Sequence, residues 1–223
     1  MIKVCESLPD GENRAVCLGL VNRDPEACGA LDSQDGRDGC YARMGDYLQD
    51  ATVCEKIAGG ALHDGCVDVV GFETGRQDVC AKCRNRFDNI KCMALAGKDA
   101  ALCEQLLKPD MRAVCTAYAS GSPTMCDTVQ DKSVKDDCLI VFAIQKRDKN
   151  LCEKMESLDT KALCLMVVGK DNAACGGMPT EEHRIRCSAV VEDDPAVCDG
   201  LKDTQSRSNC VRNYVEVKLN YYD

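Results

Sequence analysis

Residues 99–138 read DAALCEQLLKPDMRAVCTAYASGSPTMCDTVQDKSVKDDC. The stretch holds two C-x(11)-C pairs, Cys103/Cys115 and Cys126/Cys138, whose first cysteines stand 23 residues apart. Four residues before each pair sits a helix-capping side chain, Asp99 and Ser122. The same ruler runs through the chain. Upstream it marks Cys5/Cys17, Cys28/Cys40, Cys54/Cys66 and Cys80/Cys92; downstream it marks Cys152/Cys164, Cys175/Cys187 and Cys198/Cys210. Eighteen of the 19 cysteines fall into these nine pairs, and the step between pairs is either 23 or 26 residues. A fixed period of this size marks a repeat architecture. The reading is one elongated repeat domain over 1–223, with repeats starting near residues 2, 24, 50, 76, 99, 122, 148, 171 and 194.

Call the first cysteine of a pair position 0 and the second position 12. Position −4 holds Asp24, Asp50, Asp99, Ser122, Asp148, Asp171 and Asp194, and proline follows at Pro25, Pro123 and Pro195. An oxygen-bearing cap followed by proline is a helix start, so a short helix A is predicted from about −3. Position 3, one turn on, is Leu8, Leu31, Ile57, Leu106, Val129, Met155, Met178 or Leu201. A second set of caps stands at position 5: Asp10, Ser33, Asn85, Asp131, Ser157, Thr180 and Asp203, with Gly59 in the same place. Helix B then runs from about position 6 to 18. Its position 16 is apolar in every repeat, from Val21 to Tyr214. Repeats 2, 3 and 6 carry three extra residues after position 16, which predicts one more turn of helix B there. The fold class expected is all-α: an α-solenoid of nine short helical hairpins.

The pairing of the cysteines has two geometric solutions between antiparallel helices. A bridge within a repeat joins positions 0 and 12; a bridge between repeats joins position 12 to the next position 0. Only the first spacing never varies, and a disulfide holds its Cα atoms within about 7 Å. The second scheme also strands Cys5 and Cys210 together with Cys83, whereas the first strands Cys83 alone. Nine intra-repeat bridges are therefore expected: Cys5–Cys17, Cys28–Cys40, Cys54–Cys66, Cys80–Cys92, Cys103–Cys115, Cys126–Cys138, Cys152–Cys164, Cys175–Cys187 and Cys198–Cys210, with Cys83 a free thiol. A 23-residue unit cannot bury a core alone, and there is no Trp and only 3 Phe, so staples of this kind are what the composition requires.

Cysteine at this density implies an oxidising compartment: secreted, periplasmic or cell-surface. The alternative is the cytoplasm of a hyperthermophile, where disulfides also persist. Met1 stands only four residues before Cys5, as expected of a chain trimmed to a repeat boundary with any leader or anchor removed. No apolar run approaches the roughly 20 residues of a membrane span. The net charge of −9 is the wrong sign for a nucleic-acid binder and for anionic membrane surfaces.

Three patterns could carry chemistry. Cys80-x-x-Cys83 is the sole C-x-x-C, a spacing that serves thiol–disulfide exchange or half a metal site. Its register gives a plainer account, since Cys83 occupies position 3 and acts as a small hydrophobe. The cysteines could alternatively be reduced ligands of a Cu(I) or Zn store, but a twelve-residue step across two helices lacks the clustering of metal motifs. Position 9 is basic in Arg14, Arg37, Arg112, Lys135, Lys161, Arg184 and Arg207, and position 1 is acidic in Glu6, Glu55, Glu104, Asp127, Glu153 and Asp199. This pattern reads as a surface ion-pair ladder or as a basic row for an anionic partner. His63 and His183 fall at different positions and imply no shared site. Tyr214, Tyr221 and Tyr222 lie in the last ten residues, where they shield the open end of the array or form a self-association surface.

The stapled helix pairs resemble, in architecture, the Sel1-like cysteine-rich repeat proteins of bacteria, although the Sel1 repeat is longer and closes its bridge over a shorter spacing. Mitochondrial coiled-coil-helix proteins are similar in stapling a helix pair, with twin C-x(9)-C. The resemblance implies a secreted or intermembrane location and protein–protein roles. The functional expectation is a non-catalytic structural or protein-binding scaffold without a cofactor. Metal storage is the alternative, and a redox protein using Cys80 and Cys83 is the third reading.

Overall fold

The computed structural model describes residues 1–169 and 172–221; the cap expected at Asp171 and the tyrosine at 222 lie outside them. Among the described residues every regular element is a helix. Nine hairpins follow one another as the cysteine ruler requires. Helix B of the successive repeats spans Glu12–Asn22, Gln34–Leu48, Gly60–Thr74, Arg86–Gly97, Pro109–Ser120, Lys132–Lys146, Leu158–Gly169, Glu181–Val191 and Thr204–Tyr221. The expected extra turn is there: helix B has 15 residues in repeats 2, 3 and 6, against 11 or 12 in repeats 1, 4, 5, 7 and 8.

Helix A takes two forms. It is a 3₁₀ segment at Pro25–Ala30, Ala100–Gln105, Pro123–Thr128 and Pro195–Gly200, and an α-turn at Ile2–Glu6, Ala51–Cys54, Gln77–Cys80, Lys149–Glu153 and Asn172–Gly176. Each 3₁₀ piece is six residues long, and three of the four begin with proline. The caps behave as aspartates at a helix start should. Asp24, Asp50, Asp99, Asp148 and Asp194 each accept the backbone N–H two residues on, at 2.9–3.0 Å. Ser122 departs from this, since its hydroxyl turns to Thr124 at 2.8 Å. Asp10 departs as well. The N-cap of that helix is Gly11, at φ 137°, a backbone state that glycine reaches freely. Asp10 instead pairs with Arg14 at 2.5 Å.

All eighteen paired cysteines are disulfide-bonded. Seven bridges join position 0 to position 12 of one repeat, with Cα–Cα distances of 5.4–5.8 Å: in repeats 2, 3, 4, 5, 7, 8 and 9. Their sulfurs lie at the centre of the core with the position 3 side chains, of which Ile57, Leu106, Val129 and Met155 are 1–5% exposed.

Contacts divide the chain into two compact units, Asp10–Val129 and Met1–Pro9 with Gln130–Asp223. In the first, clusters such as Leu95, Leu106, Cys103 and Cys115 stack one repeat on the next. In the second, Cys198, Cys210, Ala189 and Leu201 do the same, and the opening helix Ile2–Glu6 lies against the closing helix Thr204–Tyr221. Tyr214 is buried and donates its hydroxyl to Asp193 at 2.8 Å, while Tyr221 is 41% exposed.

Two devices fix how one repeat meets the next. The first is a small residue nine places before each following first cysteine: Gly19, Gly45, Gly71, Ala94, Ala117, Ala143 and Ala189, with Met166 the departure. Its carbonyl receives the N–H of position −4 of the next repeat at 2.9–3.0 Å. The residue between takes the left-handed conformation, as at Arg23, Gln49 and Gly121. This is the glycine-type C-cap, used here mostly without glycine. The small side chain lets the next disulfide approach. A Cβ on Gly71 would stand 2.6 Å from the Cys92 sulfur and 2.8 Å from that of Cys80.

The second device is a buried aspartate at position 10, present in repeats 2, 3 and 6 only, the three with the extra turn. Asp38, Asp64 and Asp136 are 1–3% exposed. Each reaches into the following repeat and accepts two consecutive backbone N–H groups at the start of its helix B. The donors are Ala58 and Gly59 at 3.1 and 2.7 Å, Arg84 and Asn85 at 2.7 and 2.9 Å, and Glu156 and Ser157 at 3.0 and 2.7 Å. Those N–H groups have no partner within their own helix. One added turn lengthens helix B by about 5 Å, and position 10 then faces the turn of the next hairpin. In the other repeats position 10 is Ala15, Ile90, Ala113, Ala162, Ile185 or Ser208, and Ile90 and Ile185 pack against apolar clusters.

Candidate functional site

Position 9 does not form the continuous ladder that the alternation of charge predicts. Arg112 meets Glu104 at 3.5 Å and Lys161 meets Glu153 at 2.5 Å, as expected. Arg37, Arg112 and Arg184 donate chiefly to the position 3 carbonyl of their own repeat, Leu31, Leu106 and Met178, at 2.6–3.1 Å. The basic residue thus ties the turn between helices A and B. Where an aspartate from the preceding repeat already holds that turn, position 9 is free to change. It is His63 in repeat 3 and Asn89 in repeat 4. In repeat 3 the turn carbonyls of Ile57 and Ala58 are taken by Arg84 instead.

The densest polar cluster surrounds Asp64. It holds the His63 Nδ1 at 2.9 Å and the Asn85 side-chain amide at 2.9 Å besides its two backbone donors. Burial alone would raise the Asp64 pKa, but the Arg84 N–H, the His63 ring and the Asn85 N–H outweigh it and hold the carboxyl below the usual range. Asp38 is held low against burial in the same way by the Gly59 and Ala58 N–H groups, with Gln34 and Arg37 assisting. Cys83 lies beside this cluster, half-buried, with its sulfur 4.0 Å from the Asp64 carbonyl. Burial, then the charges of Asp64, Asp68 and Asp88, push its thiol pKa up to about 12. A thiol so placed is neutral at physiological pH and a poor nucleophile. Its C-x-x-C neighbour Cys80 is bonded to Cys92. The pair is not a dithiol, and Cys83 stands at position 3 but is only half-buried, whereas Ile57, Leu106 and Val129 at the same position are buried. His63 and His183 belong to different units.

The surface feature that stands out lies elsewhere, between repeats 4 and 5. An open groove of about 610 Å³ is lined by Phe87, Ile90, Leu106, Leu107 and Met111, with Arg86, Gln105 and Lys108 completing it. Leu107 is 91% exposed and Phe87 37%. Both break the repeat pattern. Position 7, where Phe87 stands, is Glu12, Asp35, Asp110, Ser133, Asp159, Glu182 or Gln205 in seven other repeats and Ala61 in repeat 3. Position 4, where Leu107 stands, is Asp32, Arg84, Gln130, Glu156 or Lys202 in five repeats, proline at Pro9 and Pro179, and Ala58 in repeat 3. Together with Ile90, Leu106 and Met111, Phe87 and Leu107 form one contiguous apolar patch, the kind of surface that marks a candidate interaction site. The register contained this signal: a large apolar side chain at position 7 of repeat 4 and at position 4 of repeat 5, where the other repeats have polar residues, alanine or proline. A smaller hollow of about 300 Å³, lined by Leu163, Met166, Met178 and His183, lies between repeats 7 and 8.

Among the described residues no three His, Cys, Asp or Glu side chains gather as a metal site, and no helix is long and apolar enough to cross a membrane. No protein-family model, curated protein or solved structure matches this chain.

Proposed function

We propose that the chain is a non-catalytic scaffold of the cell exterior or periplasm that engages a protein partner through the groove of repeats 4 and 5. The observation that carries this reading is the placement of Phe87 and Leu107, large, apolar and exposed at positions where the other repeats have polar residues, alanine or proline. The disulfides indicate an oxidising environment. They also favour a scaffold over the two competing readings. A bridged sulfur carries no thiolate for Cu(I) or Zn, and the neutral thiol of Cys83 is ill suited to exchange chemistry. The acidic net charge of −9 counts against nucleic acid as the partner.

Selection from a random displayed-peptide library tests the proposal. The intact oxidised chain should enrich a family of sequences that perturb backbone resonances of residues 86–90 and 105–111. The Leu107→Asp variant, altered at a side chain that takes no part in the core, should enrich none of them. Enrichment that survives Leu107→Asp would remove the groove from the account.

A further inference from the structure

The rim of this groove carries information about what it receives. We propose that its partner is an acidic protein segment that inserts an apolar side chain between Phe87 and Leu107 and sets carboxylates against Arg86 and Lys108. The inference rests on the reading of the groove as the binding site and names the chemistry of its occupant.

Charge complementarity identifies the occupant. The chain has 37 acidic against 28 basic residues, and among the described residues its exposed cations are divided between paired ones and unpaired ones such as Lys98. Close by in the same unit, Lys56 pairs with Glu26, Lys82 with Glu55, and Lys91 with Asp68. Arg86 and Lys108 are exposed and form no ion pair among the described residues, and both line the apolar groove, so that the two cations stand at one apolar centre. One comes from each repeat, so their charges are presented together only where the two repeats meet. Gln105 adds a neutral amide at the same edge. Two cations beside an apolar centre match an apolar anchor with carboxylates on either side. A single-headed fatty acid would leave one cation unused. A second copy of this chain would bring a charge of −9 against −9. An acidic segment also meets that net charge, but long-range repulsion is screened beyond about 8–10 Å at physiological salt, whereas contact pairs at the rim are screened less.

Three defined peptides provide the test, each with a two-residue centre and two charged residues on either side: Leu-Phe between glutamates, Leu-Phe between lysines, and Ser-Ser between glutamates. Binding to the oxidised chain is measured by fluorescence anisotropy and located by amide shifts at residues 86–90 and 105–111. The glutamate-flanked Leu-Phe peptide should bind about fivefold to tenfold more tightly than its lysine counterpart, the ratio that two exposed ion pairs supply. Its affinity should fall as salt rises, and the Ser-Ser peptide should not bind. Arg86→Glu with Lys108→Glu, both at surface positions, should reverse the order of the two Leu-Phe peptides. Equal binding of those two peptides in the parent overturns the charge inference and leaves the groove reading standing. No binding by either Leu-Phe peptide overturns both. Tighter binding of sodium dodecanoate than of any peptide, or a dimer that Leu107→Asp dissolves, overturns the inference in favour of that other occupant.

Discussion

Asp136→Ala is the substitution that probes most sharply how one repeat is joined to the next. The Asp136 carboxylate is 1% exposed and accepts the backbone N–H groups of Glu156 and Ser157 at 3.0 and 2.7 Å. Alanine fits the space, since it is the residue at position 10 of repeats 1, 5 and 7. The loss is therefore confined to two charge-assisted hydrogen bonds. Each orphaned donor costs about 1–3 kcal/mol, and water reaching the edge of this site lowers the sum to about 2–4 kcal/mol. Local opening of the second hairpin should become easier by that amount. At about 1.36 kcal/mol per tenfold, the Ser157 amide should exchange with solvent about 30- to 900-fold faster, measured by native-state hydrogen exchange with the disulfides intact. Asp136→Asn keeps one acceptor and should fall between. The reciprocal change, Ala162→Asp, places a carboxylate opposite no such donors and should destabilise outright. Unchanged exchange at Ser157 in Asp136→Ala, or a harmless Ala162→Asp, would refute the link between the extra helical turn and the aspartate.

Gly71→Ala opposes two effects: helix propensity favours alanine by about 1 kcal/mol, whereas a Cβ 2.6 Å from the Cys92 sulfur costs about 1–3 kcal/mol through repacking. The melting temperature should fall, and a rise would show that the close approach of helix and disulfide is slack. Asp46 is pushed up from 3.8 to about 6 by desolvation and by the Glu73 carboxylate. The folded chain therefore holds a proton there that the unfolded chain releases, and this contribution to stability is present below pH 4 and lost as pH rises through 6. Asp46→Asn should gain on the parent between pH 4 and pH 8 in parallel denaturant titrations. The side chain still reaches solvent, so the gain is small, and a relative loss at pH 8 would contradict the assignment. Cys83, with its thiol at about 12, should react with iodoacetamide at pH 8 much more slowly in the native chain than in urea. Cys83→Val should melt close to the parent, and rapid native labelling would reopen the redox reading.

The cysteine ruler made the hairpin legible because an invariant spacing is a covalent constraint, and covalent constraints survive any change in the surrounding side chains. The longer helix B of repeats 2, 3 and 6 was equally legible, since three residues make nearly one turn. The 3₁₀ form of helix A was not. Caps and prolines mark where a helix starts, but they do not distinguish hydrogen bonding to i+3 from i+4 over six residues. The aspartates at position 10 were visible in the sequence, yet a lone acid on a helix reads as a solvated face until the next repeat is seen to bring two N–H groups against it. The basic residues at position 9 misled for the same reason. A charge pattern names a possible partner in Glu or Asp, whereas the backbone carbonyl that Arg37 and Arg184 bind leaves no trace in the sequence. The groove of repeats 4 and 5 was recoverable from Phe87 and Leu107, but only by asking where the repeats differ rather than where they agree.

The account stands on the bridges that staple each hairpin, and disulfide mapping tests it most directly. The protein is alkylated in denaturant without reduction, its thiols are counted, and it is digested and sequenced by mass spectrometry without reduction. With 18 of 19 cysteines bonded and Cys83 free, alkylation should label Cys83 alone, and every bridged peptide should join cysteines twelve residues apart, as Cys103 to Cys115. Many labelled cysteines, or a bridge from Cys40 to Cys54, would contradict it.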